Sequence, residues 1–190
     1  MTTKITGVFY CLNGLAMFTL WPILIITGQV PELNDQLIYM LFHLFSELVA
    51  ALLGLVTGVS LWIDRDWAKR LYFWTTGLLL AAGYLAIVFY VFTPKSNSWG
   101  ILTMLATITS FQAILLVLLF NTYFQDKRCT RAKLTLIFNG ALVYTLINVA
   151  GFLTQIGTGY TAGYASMVII LIGAGIWSSK DAWQTMELVP

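Results

Sequence analysis

Residues 36–62, "QLIYMLFHLFSELVAALLGLVTGVSLW", form an apolar run longer than the roughly 20 residues a helix needs to cross a bilayer core. Inside it stand His43, the only histidine of the chain, and Glu47, one of eight acids. An ionisable pair in such a run is expensive, so its position has to be explained. The whole composition agrees with a membrane setting. The 190 residues are 59% hydrophobic, 15% aromatic and only 9% charged, where soluble domains carry about 25% charged residues. Mean hydropathy is +0.83. The net charge of +2 is too small to argue for a nucleic-acid partner.

Working outward, five further runs meet the same length criterion, giving six predicted spans at about 5–27, 36–62, 71–92, 99–122, 133–154 and 160–178. Between them lie "GQVPELND" (28–35), "IDRDWAKR" (63–70), "TPKSNS" (93–98), "FQDKRCTRAK" (124–133) and "QIGTGYTAG" (155–163). Backbone groups cannot stay unpaired in lipid, so the fold class read here is an all-α integral membrane protein, one six-helix domain over 1–190. The first run follows Lys4 but exceeds a signal-peptide core of 7–15 residues, and it is expected to be a retained span with a kink at Pro22.

Orientation follows from the basic residues. With six spans, Lys4, Arg65, Lys69, Arg70, Lys127, Arg128, Arg131, Lys133 and Lys180 share one side, and only Lys95 falls on the other. The positive-inside rule then places both termini in the cytoplasm and the protein in the plasma membrane. Trp62, Trp67 and Trp177 fall at inner interfaces and Trp99 at an outer one, as aromatic belts require. "DKRCTRAK" (126–133) reads as a loop that sets topology by touching lipid headgroups, and the tail "SSKDAWQTMELVP" (178–190) as a mixed segment on the inner face. Cys11 and Cys129 lie at different depths, one in a span and one in the basic loop, and are expected as unpaired thiols.

A repeat is suggested by "NGLAMFTL" (13–20) against "NGALVYTL" (139–146), with "TGLLLAAGYL" (76–85) at half that offset. Gly14, Gly77 and Gly140 are thereby spaced evenly, 63 residues apart, and Met104 and Met167 obey the same period. The reading is three tandem helical hairpins around a central axis along the membrane normal.

Residues four apart share a helix face, so His43 and Glu47 are neighbours, and Ala51, Gly54 and Gly58 continue the series with small side chains suited to close packing. A rise of about 1.5 Å per residue puts His43 about 9 Å and Glu47 about 15 Å below an outer end at Leu37. On the fifth span, counted back from Thr154, Asn148 and Tyr144 reach the same depths, and Tyr144, Asn148, Gly151 and Gln155 share a face. Trp21 and Tyr84 lie at similar depth on spans one and three. A polar pocket is therefore expected in the outer half, lined by His43, Glu47, Tyr144 and Asn148, with Trp21 and Tyr84 as aromatic walls. Thr103, Thr107 and Ser110 are left out, because such hydroxyls bond their own helix.

A central acid costs roughly 2.5 to 3.5 kcal/mol on insertion scales, and intramembrane ionisable residues are functional hypotheses by default. The reading that follows is binding or transport of a small polar or cationic solute, with Glu47 available to couple protons. The alternative is an accessory or assembly protein in which the His–Glu pair fixes helix registry, and an intramembrane enzyme comes third. His43 and Glu47 lack a second histidine or a placed cysteine to complete a metal site, and Ser46 beside His43 has no motif of a nucleophile. No catalytic residue, metal or cofactor is expected. The expected partners are membrane lipids, the solute, and a helix-packing partner or second copy.

"FHLFSEL" (42–48), "DWAKRLYFWTTG" (66–77) and "GALVYTLINVAGF" (140–152) are similar to the pattern of small prokaryotic membrane proteins of no known activity. That pattern has Phe-His, two residues, Ala or Ser, then Glu in one helix, and a later Gly-x-x-x-Tyr-Thr helix. Those proteins have four spans; six here would mean one hairpin added. By size and span number alone the chain also resembles the substrate-binding membrane subunits of vitamin-uptake transporters, with no shared motif.

Overall fold

A computed structural model describes residues 2–28, 30, 32–92, 98–120, 127–154 and 158–187. Lys95 and Gln155, used above for orientation and for the pocket face, lie outside the described residues. Within them the chain is entirely helical: α1 (Thr2–Ile26), the short α2 (Glu32–Asp35), α3 (Leu37–Trp62), α4 (Asp66–Phe92), α5 (Ser98–Phe120), α6 (Lys127–Leu153) and α7 (Thr158–Glu187). Five of these, α1, α3, α4, α5 and α6, are long and apolar enough to cross a membrane.

The helices outrun the apolar stretches at their charged ends. α4 starts at Asp66 rather than 71, α6 at Lys127 rather than 133, and α7 runs on to Glu187 rather than stopping near 178. Hydropathy marks only what lies in hydrocarbon, whereas backbone hydrogen bonding continues as long as the residues tolerate helix. Two expectations are corrected as a result. Cys129 is not in a loop but buried on α6, and the predicted mixed tail is helical through Glu187. Cys11 and Cys129 are both free thiols.

Contacts between helix ends show how the chain runs. Lys4 near the start of α1 lies over the Trp62 ring at the end of α3, 5.8 Å from its centroid. Arg70 on the first turns of α4 pairs with Glu187 at the end of α7, 3.0 Å apart, and stacks over Trp183. Lys133 on α6 donates a hydrogen bond of 2.6 Å to the Phe120 carbonyl at the end of α5. Its amine also lies over the rings of Phe120 and Phe73, so this counted headgroup cation is in fact buried. The six long helices thus alternate in direction, with these ends gathered at one end of the bundle. α3 ends in a tight turn in which the Arg65 amide bonds the Ser60 carbonyl and Asp64 takes a left-handed φ of 54°.

α3 packs against α1, α4 and α6, α4 also packs against α5 and α6, and α6 against α7. Glycine sets the two closest approaches. A Cβ on Gly77 would stand 1.8 Å from the Ile137 carbonyl oxygen, and one on Gly140 would stand 2.0 Å from that of Trp74. On the other side, Gly7 and Gly58 meet across α1 and α3, and Gly14 sits against the Ala51 carbonyl. The evenly spaced glycines therefore occupy different settings: Gly77 and Gly140 bring α4 and α6 together, whereas Gly14 packs within the first hairpin. The side chain of Met167, the other marker of the period, lies outside the described residues.

Candidate functional site

The halves of α3 and α6 remote from the Lys4–Trp62 end of the bundle carry the polar residues. His43, Ser46 and Glu47 stand at i, i+3 and i+4 on α3, so one face presents all three. Tyr144 and Asn148 stand four apart on α6 and face them. Gly151, one turn further out, lies against Phe42 and the Tyr39 carbonyl; a Cβ there would be 2.7 Å from that of Phe42. That missing side chain is what lets the two helices come within side-chain bonding range.

Five hydrogen bonds join this cluster. The Tyr144 hydroxyl donates a short bond to Glu47 Oε1. Asn148 Nδ2 donates to Ser46 Oγ at 2.9 Å and to the Tyr144 carbonyl at 3.0 Å. Ser46 Oγ in turn donates to the His43 carbonyl at 2.7 Å. His43 Nδ1 and Asn148 Oδ1 are 2.8 Å apart. Both amide hydrogens of Asn148 go to acceptors, so its oxygen must face the imidazole, and His43 Nδ1 must be the donor. In the neutral ring, Nε2 is then an acceptor with a lone pair.

Trp21 of α1 meets His43 edge to face, ring centroids 5.5 Å apart. Tyr39, one turn before His43, stacks alongside it at 6.4 Å. His43, Glu47, Tyr144, Asn148 and Trp21 are thus brought together as the spacing predicts. Tyr84 is not: it is 64% exposed on α4. Depth counting gives height along a helix but not direction around it. Tyr39 is a further member that the i, i±4 rule would have added, and Ser46, placed beside His43 by the i, i+3 step but weighed only as a nucleophile, belongs to the network as a hydrogen-bonding partner.

The small-residue series also parts from the polar pair. Ala51, Gly54 and Gly58 face α1, whereas His43, Ser46 and Glu47 face α6. At 100° per residue Ala51 and Gly58 have turned about 80° and 60° from His43, while Gly54, only about 20° away, lies three turns further along α3. Thr103 and Thr107 bond the carbonyls of Trp99 and Thr103 on their own helix, as expected. A second polar layer escaped the sequence reading. Tyr10 bonds Thr76, Thr57 bonds Thr75 at 2.9 Å, and Gln112 donates to the Thr76 carbonyl at 3.3 Å, joining α1, α3, α4 and α5. All of these side chains are buried. Hydroxyls on apolar helices carry no periodic signal that separates this pattern from back-bonded threonines.

Among the described residues the chain is thus an all-helical protein with five helices long and apolar enough to cross a membrane and a hydrogen-bonded ionisable cluster between α3 and α6. It belongs to the family described as a domain of unknown function (DUF8058), which matches residues 1–131. No curated protein and no solved structure matches it. The matched residues include Trp21, His43, Ser46 and Glu47, while Tyr144 and Asn148 follow them.

Proposed function

We propose that this chain is a six-span plasma-membrane protein, with α7 as the sixth span and both termini cytoplasmic, that binds or transports a small polar or cationic solute at His43 and Glu47. The observation that carries the reading is the His43–Asn148–Ser46 and Glu47–Tyr144 network, in which Ser46 and Tyr144 are buried and the other three half-buried, with the rings of Trp21 and Tyr39 beside His43. A carboxylate one helical turn from an imidazole flanked by aromatic rings offers a small ammonium group a counter-charge and nearby π faces. The His43 Nε2 position, fixed as an acceptor in the neutral ring, supplies a polar contact or takes a proton. One observation favours a second reading, that of a registry device: Asn148 already spends two bonds holding α6 to α3, to His43 and Ser46, and a third on the Tyr144 carbonyl of its own helix.

Thermal unfolding of the purified protein, titrated with amines from methylammonium to choline, separates the two. On the site reading one amine raises the midpoint with concentration, and Glu47→Gln abolishes that rise while the unliganded midpoint stays within a few degrees. A ligand at about 100 times its Kd contributes roughly 2.7 kcal/mol, well within detection. No response in the wild type, together with loss of folding in Glu47→Gln, establishes the registry reading instead.

A further inference from the structure

Away from the polar cluster, a cleft of about 460 Å³ opens between α1 and α5 at the end of the bundle where Lys4 and Trp62 meet. Val8, Phe9 and Leu12 of α1 and Phe111 of α5 line it, and Lys4 is the only charged residue among its lining residues. α1 and α5 touch only lightly, chiefly where Phe9 meets Phe111 edge to face at 4.9 Å. We propose that this cleft seats one anionic phospholipid, an acyl chain lying along α1 and the headgroup phosphate on the Lys4 amine.

Length and charge each argue for that occupant. From Lys4 to Leu12 the helix rises about 12 Å, close to one leaflet's share, about 15 Å, of the hydrocarbon core. Phe111 lies about 14 Å from the end of α5 at Phe120, so both walls reach the same depth. At the mouth, the Lys4 amine is held 5.8 Å from the centre of the exposed Trp62 ring, an arrangement suited to the headgroup level. The proposal needs only that α1 and α5 lie in a membrane and does not rest on the solute reading.

Native mass spectrometry of the delipidated full chain tests it, with phosphatidylglycerol and phosphatidylcholine of identical acyl chains as probes. One lysine at the membrane surface corresponds to about a five-fold preference for the anionic lipid, which Lys4→Gln should remove while leaving residual binding. Val8→Trp should fill the cleft and lower retention of both lipids. Independently, acyl-brominated phosphatidylglycerol should quench the emission component that is lost in Trp62→Phe, and do so more than brominated phosphatidylcholine. If Val8→Trp does not fold, the Lys4 and Trp62 measurements decide. Equal retention of both lipids, a preference that survives Lys4→Gln, a dimer abolished by Val8→Trp, or displacement by equimolar oleate would each overturn the assignment.

Discussion

Glu47 and Tyr144 belong to different helices, so their bond can be measured as a coupling rather than inferred from one deletion. Interhelical hydrogen bonds in membranes average about 0.6 kcal/mol and reach about 1.7, because the separated helices find other partners. A double-mutant cycle of Glu47→Leu and Tyr144→Phe, read by denaturant unfolding, should give a coupling in that range. Additive effects of the two changes would contradict the bond. Much of the cluster could be read from spacing alone: His43 and Glu47 from a step of four, Tyr144 and Asn148 from equal depth on an antiparallel helix. Tyr84 fell out because equal depth leaves direction free, and only the packing of α4 decides which way it faces.

Helix association here rests on glycine at close approaches. The Gly77 and Gly140 positions leave no room for a Cβ, and what blocks it is backbone rather than a movable side chain. Gly77→Ala or Gly140→Ala should each cost about 1 to 3 kcal/mol by forcing α4 and α6 apart. The pair should cost less than the sum, since one displacement relieves both clashes. Gly173 on α7 is the control, with nothing within 4 Å of a built Cβ. Gly173→Ala should stabilise by up to about 1 kcal/mol through helix propensity. Losses at 77 and 140 no larger than at 173 would refute the packing role. At this scale the existence of the long helices was legible from apolar length. Their charged ends were not, because a hydropathy run stops where lipid would stop and the helix of α7 does not.

For the whole molecule, alternation of the long helices gathers Lys4, Trp62, Arg70, Lys133 and Glu187 at one end. The basic residues pointed to that end in advance, since they cluster by loop. The pairing of helices could not be read the same way, because a period of 63 residues does not say that α4 meets α6 while α1 stays with α3. If both termini are cytoplasmic, an epitope inserted within residues 121–126 and one at the N-terminus should both be cleaved by protease in inside-out vesicles. Both should be protected in intact cells. Opposite behaviour of the two tags would break the six-span reading.

That insertion site is favoured by the contact of Lys133 with Phe120. The bond joins residues 13 apart in sequence and closes a small non-covalent ring, so both anchors of the intervening connection are fixed before anything is added to it. For a loop with fixed anchors, the entropy of closure grows only with the logarithm of its length. Doubling the flexible part of such a ring costs about 0.6 kcal/mol. The buried lysine therefore acts as a clasp, and the chain between its ends can be lengthened at little cost to the bundle it joins.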